Sequence, residues 1–302
     1  MKSLSRFSAL ALVALALAGC RSDAKVVNSG RGYATREVKI DPIGGVCTNT
    51  AIDIVYVQQS GSPYVRIKAP RDVLPYIRLK RHGNCLNVDF DDRRDLEVNG
   101  KCTVYVYAPE VTEFTANSAG SIQLPKGLNT KRDACFRVES AGGISGDEIR
   151  CRDLEVKVNS AGNVSFDLVS CGRLNVKLNS AGNFSTDDVN CHESRLICSS
   201  AGNVDVRQMD CSGRLEAVTH SAGNIRLAGT CGEARYQANS VGNIRAEKLK
   251  SGQTSVTLMS CGNVYCNTSS RLDVSRRTRV GRVYYKGLPS QINGGDEGVS
   301  RL

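Results

Sequence analysis

Residues 154–185 read LEVKVNSAGNVSFDLVSCGRLNVKLNSAGNFS, and they hold nearly the same phrase twice. Leu154-Glu155-Val156-Lys157-Val158-Asn159-Ser160-Ala161-Gly162-Asn163 returns twenty residues later as Leu174-Asn175-Val176-Lys177-Leu178-Asn179-Ser180-Ala181-Gly182-Asn183. On both sides of the glycine, apolar and polar residues alternate, the period of a strand with one buried face. Working outward, Ser-Ala-Gly recurs at 118–120, 140–142, 160–162, 180–182, 200–202 and 221–223, with Ser240-Val241-Gly242 and Ser260-Cys261-Gly262 as variants. The steps are 22, 20, 20, 20, 21, 19 and 20 residues. A fixed period near 20 over eight copies marks a solenoid, and it is too short for a helical repeat. The Leu-x-x-Leu-x-Leu spacing of leucine-rich repeats is absent. The pattern therefore predicts an all-β fold, a parallel β-solenoid of two-strand coils. The coils stack about 4.8 Å apart, so seven periods rise about 34 Å.

Each glycine is expected at a corner, where it would take φ > 0 without steric cost. Asn follows it at 163, 183, 203, 224, 243 and 263, where one amide can bond its equivalent in the next coil. Cys151, Cys171, Cys191, Cys211 and Cys231 form a second ladder, and by alternation it points inward. Cys198 falls in register with Val158 and Leu178, so cysteine replaces core aliphatics and reads as a small buried hydrophobe. Disulfides are the rival, since twelve cysteines follow Cys20 and the chain is exported. Parallel Cβ vectors make ladder pairs hard to close. Cys85 with Cys102, outside the repeat, is the better candidate pair. No Cys-x-x-Cys or His cluster provides a metal site. No cofactor is expected, and His192 and His220 read as surface residues.

The rest of the composition sets limits. The 302 residues carry 40 Lys+Arg against 30 Asp+Glu, three His and no Trp. One apolar run, Ala9–Ala18 behind Lys2 and Arg6, is too short to span a bilayer, which excludes a polytopic membrane protein. It reads as a signal peptide over residues 1–19. The run closes in Leu17-Ala18-Gly19-Cys20, which resembles a bacterial lipobox, where cysteine takes lipid after cleavage. Cys20 is therefore the expected lipid attachment, and several acyl chains anchor firmly. Residues 20–32 read as the lipidated Cys and a tether. The cleaved chain would carry +8, since Lys2 and Arg6 leave and no acid does.

Residues 33–115 are β in character without the repeat, and no linker divides them from it. One head domain is expected over 33–292, with regular coils at about 116–270, an N-terminal cap, and a flexible tail at 293–302. The strand pair IDIVYVQQSGSPYVRIKAP (52–70), the junction CTVYVYAPEVTEFTANSAGSI (102–122) and the closing RVGRVYYKGLPSQI (279–292) resemble the putative auto-transporter adhesin head GIN domain family. The closing Gly281-x-Val-Tyr-Tyr-x-Gly-x-Pro289 is the most specific part. Members are mostly bacterial envelope lipoproteins, frequent in Bacteroidetes. The resemblance implies an outer-membrane, adhesin-like module and brings no catalytic residues. The chain departs from it in writing Asn-Ser-Ala-Gly-Asn where many members have Ser-Gly-Ser-Gly-Asp, and in its cysteine content.

Against a binding or scaffolding role stands a polysaccharide lyase or glycosidase. Such enzymes work in grooves built by long inter-coil loops, and coils of 19 to 22 residues leave no room for them. Asp167 and Asp187 could stand as paired carboxylates one coil apart, but Arg207 and Glu247 continue that row as an ordinary charged ladder. The chain is expected not to be an enzyme. Arg276, Arg277, Arg279, Arg282 and Lys286 put five cations in eleven residues with no acid among them, a candidate contact for an anionic partner. That partner would be an envelope glycan or another envelope component, and nucleic acid does not fit an exported chain. The competing reading of the segment is a solvated terminal cap. Oligomeric state is not legible.

Overall fold

A computed structural model describes residues 25–27, 32–91, 96–98, 100–278, 280–294 and 297–302. From Asn163 the chain runs as six long strands: Asn163–Leu178, Asn183–Cys198, Asn203–Thr219, Asn224–Ala238, Asn243–Leu258 and Val264–Arg276. Each is one coil, paired in parallel with the coil before and after it. Val164, Phe184, Val204, Ile225, Ile244, Val264 and Val283 face one another in a single buried column. The molecule is a parallel β-solenoid of about nine turns, as the period predicts.

Alternation slips twice in most coils. In Asn183–Cys198 the residues Asp187–Asp188 and His192–Glu193 are consecutive exposed pairs between buried ones. The coil bends at both places without losing its ladder, so a short middle run carries Val189 and Cys191 between two longer ones. Inside, Tyr56, Phe114, Phe136, Phe166 and Phe184 stack in sequence with ring centroids 4.9 to 6.3 Å apart. Each buried Val, Leu or Phe contributes about 1.5–3 kcal/mol of burial. Every coil brings a similar set, so stability accumulates coil by coil.

The corner glycines are needed for a reason other than the one the sequence implies. Positive φ occurs at glycines such as Gly127 (64°) and Gly229 (116°), and at none of the Ser-Ala-Gly corners. What excludes a side chain at Gly182 is closeness. A Cβ there would stand 2.2 Å from Val158 Cγ1, 2.7 Å from Gly162 O and 2.9 Å from Ser160 O. The corners nest, each glycine resting on the carbonyls of the corner before it. Outside them the asparagines form the anticipated ladder, Asn183 Nδ2 donating to Asn163 Oδ1 at 2.8 Å and Asn203 Nδ2 to Asn183 Oδ1 at 2.9 Å.

At the N-terminal end the chain doubles back. Gly45–Thr48 and Asp53–Gln58 form a coil that pairs onward with Glu113–Ala116 and Ser121–Leu124, and outward with Cys85–Phe90 and Thr103–Ala108. Tyr33–Lys39, Tyr64–Pro70 and Ile77–His82 then pair antiparallel with neighbouring strands and close the stack. This cap continues the same sheet, which disposes of one open edge. Two expected boundaries change. Lys25–Val27, assigned to the tether, is a strand parallel to Leu96–Val98. Residues 293–302 are not a loose tail: Gln291–Asn293 pairs with Arg271–Asp273, and Val299–Arg301 with Val283–Tyr285. The last half-coil finds a ladder waiting for it, and hydrogen bonding orders residues whose composition alone reads as tail.

Candidate interaction surface

Three features carry titratable or nucleophilic chemistry: the cysteines, a concavity lined by acids, and the basic end. All twelve cysteines after Cys20 are free thiols. Cys171, Cys191, Cys211 and Cys231 are in register in the middle run, with Ser251 next in the row. Burial pushes the Cys171, Cys198, Cys231 and Cys266 thiols up to about 12. They are protonated packing groups, not nucleophiles. The candidate Cys85–Cys102 pair is not bridged. Cys85 stands opposite Gly45, whereas Cys102 precedes Thr103, the strand partner of Asp53.

A concavity of about 510 Å³ is lined by Glu113, Asp133, Asp153, Glu155, Arg173 and Arg195, among others. Most of its acids are ion-paired. Arg152 holds Asp133 through two bonds of 2.6 Å, Arg173 Nε reaches Asp153 at 3.0 Å, and Lys157 lies 2.8 Å from Glu155. The Arg152 hydrogen bond keeps the Asp133 carboxyl below the usual carboxylate range. On a neighbouring face Arg207 pairs with Asp187 at 2.8 Å, so the Asp167–Asp187 row carries its own counter-ion. His192 and His220 are exposed and bond Ser212 and Asn239. Among the described residues no group of three His, Cys, Asp or Glu is placed to hold a metal ion.

The basic segment is divided by the fold. Arg276 turns back into the end of the stack: its Nη2 donates to Gly281 O at 2.9 Å, and its guanidinium fills the space beside Gly298. There it braces the last corner, half-buried. Arg277 is exposed at the corner beyond Leu258, and Arg279 lies outside the described residues, as does Cys20. Arg282 and Lys286 are exposed on either side of the half-buried Tyr284.

Tyr284 belongs to a row the sequence analysis passed over. Arg226, Arg245, Tyr265 and Tyr284 occupy one outward slot in four successive coils. The Tyr265 and Tyr284 rings stack at 4.9 Å, 14° from parallel, and the Arg245 guanidinium carbon sits 5.4 Å from the Tyr265 centroid. Arg226 reaches back to Asp205 at 3.1 Å. Lys248 flanks the row on the surface. The signal was available: 226, 245, 265 and 284 each lie two residues past the corner slot of Asn224, Asn243, Asn263 and Arg282.

A family model described as "Putative auto-transporter adhesin, head GIN domain" matches residues 48–211 and 174–289. Among solved structures, a putative adhesin from Parabacteroides distasonis is similar with TM-score 0.53 and 17% identity, over 92% of this chain and 100% of that one. A putative adhesin from Parabacteroides merdae is similar at TM-score 0.50 and 16% identity, again over 92% and 100%. No curated protein matches. At such identities the structural likeness is one of fold.

Proposed function

From membership of the putative auto-transporter adhesin, head GIN domain family, to which this chain belongs, we propose a non-catalytic, adhesin-like binding or scaffolding module held at the cell envelope by lipid on Cys20. The observation that carries this is the stack itself, whose coils pair in parallel from Asn163 to Arg276, with local bulges at the bends and no loop raised to enclose a substrate. Such a surface offers a rigid, repeating row of side chains instead of a pocket. Ion-paired carboxylates and protonated thiols support the same reading. The family points to an envelope or surface location, and the lipobox takes that further, to an outer-membrane lipoprotein whose partner is an envelope glycan or protein.

Fractionation of cells producing Cys20→Ala tests the anchor. The native chain is expected with the membranes and labelled by a fatty-acid probe, and the variant released and unlabelled. A variant that still sediments with membrane would remove the lipid from this account.

A further inference from the structure

We propose that the row Arg226, Arg245, Tyr265 and Tyr284, with Lys248, Arg282 and Lys286 beside it, is a binding site for an acidic polysaccharide carrying carboxylates on successive sugars. The proposal rests on the adhesin-like reading and names the ligand class and the face that takes it.

The charge on this face is one-sided. Asp205 and Glu247 are its acids near Arg226 and Arg245, and Asp205 is already engaged by Arg226. Beyond Glu247 the outward residues of the two last coils here are Asn263, Tyr265, Asn267, Arg282, Tyr284 and Lys286, with no carboxylate. Arg245, Lys248, Arg282 and Lys286 have no acidic partner among the described residues. Exposed cations without counter-ions on a rigid sheet attract an anion and lose little entropy in holding it.

The tyrosines fix the kind of anion. Their rings lie nearly parallel, one coil apart, so their faces point along the solenoid axis. Tyr284 meets Ser300 on its far side, a side chain too small to cover a ring. The far face of Tyr284 can take one sugar ring that is apolar on one face and charged at its edge, which describes a uronate, while ring edges and guanidinium groups line the rest of the row. Residues repeat along the row at the coil spacing of about 4.8 Å, the length scale of a single sugar ring. A repeating ligand can therefore meet a repeating receptor rung by rung, and weak contacts gain by being joined. The concavities beside Arg226 and Arg245 are open troughs along the sheet, suited to a chain passing over. A lipid headgroup layer fits less well. The row begins six coils from Asp53, roughly 30 Å from the capped end that follows the proposed anchor, and extends away from it.

The test uses the Cys20→Ala chain as a lipid-free full-length protein, titrated with polygalacturonate, with its fully methyl-esterified form, and with phosphatidylglycerol vesicles. Binding to polygalacturonate is expected, weakening as salt rises, with the ester much weaker. Arg245→Ser combined with Arg282→Ser should lower that affinity about tenfold at unchanged melting temperature. Tyr284→Ala should lower it while leaving the salt dependence as it was. Lys177→Ser, on another face, should change nothing. Equal binding of acid and ester, equal binding by native and doubly substituted chains, or binding to vesicles alone would each overturn the site. If the doubly substituted chain adheres to envelope material as well as the native one, the glycan site is wrong and the adhesin-like reading stands. If the native chain adheres to none, that reading falls too.

Discussion

Gly182 illustrates how a residue type can be read correctly for a mistaken reason. Its recurrence at every corner is visible in the sequence, and positive φ is the usual explanation for such glycines. Here the backbone is ordinary, and the constraint is a space filled by Val158 and the carbonyls of Gly162 and Ser160. The distinction is measurable, because alanine tolerates a non-positive φ but not a contact at 2.2 Å. Gly182→Ala is expected to cost about 2–3 kcal/mol, the price of forcing one extra carbon into a packed site. Gly143→Ala, whose new Cβ would meet only Asn163 O at 3.4 Å, should stay within about 0.5 kcal/mol of the native protein. Thermal melting of the two variants checks this, and equal losses would contradict the packing argument.

Among the elements, the middle run with its cysteine column makes the most distinctive prediction. Cys171 and Cys231 there, and Cys198 and Cys266 in the flanking runs, have thiols raised by burial from 9.0 to about 12. Unfolded, they ionise near their ordinary value, so above it the unfolded chain releases protons that the folded chain keeps. Their contribution is complete below about pH 9 and is lost as pH climbs toward about 12. The melting temperature should therefore hold up to about pH 9 and fall beyond it. In a Cys171→Val, Cys198→Val variant, which packs similarly without an ionisable group, the fall should be shallower. Identical alkaline profiles would mean that these thiols are not buried as described. The asparagine ladder on the outside needs no such argument, since its bonds connect neutral groups.

For the whole molecule, the register itself is the testable property. Each coil contacts mainly its neighbours, so removing one complete period should let the stack close over the gap. Deleting residues 183–202 joins Gly182 to Asn203 and brings Val164 against Val204 and Cys171 against Cys211, pairs as compatible as those lost. This shortened chain should fold cooperatively and melt a few degrees lower. Deleting only 183–192 puts a first run where a third belongs and turns buried residues outward, so it should not fold. Circular dichroism and melting distinguish the two. Similar behaviour of both deletions would show that register is not what holds the coils.

Sequence alone determined the solenoid, its period and its buried columns. Period-two alternation and a twenty-residue repeat are local signals, and parallel stacking is the one way such coils bury their faces together. The repeat also predicted the asparagine ladder and the packing role of Cys198, since equivalence along the chain becomes adjacency across coils. Other features depended on contacts that no local pattern encodes. The nesting that demands Gly182, the return of Val299–Arg301 to the ladder and the inward turn of Arg276 are set by residues from neighbouring coils. The Arg226–Tyr284 row lies between these cases. Its spacing is written in the sequence, but only the stacked structure brings four residues spread over 59 positions into one column. Charge and aromaticity add up to a surface when side chains share a face, and which side chains share it is decided by the folded stack.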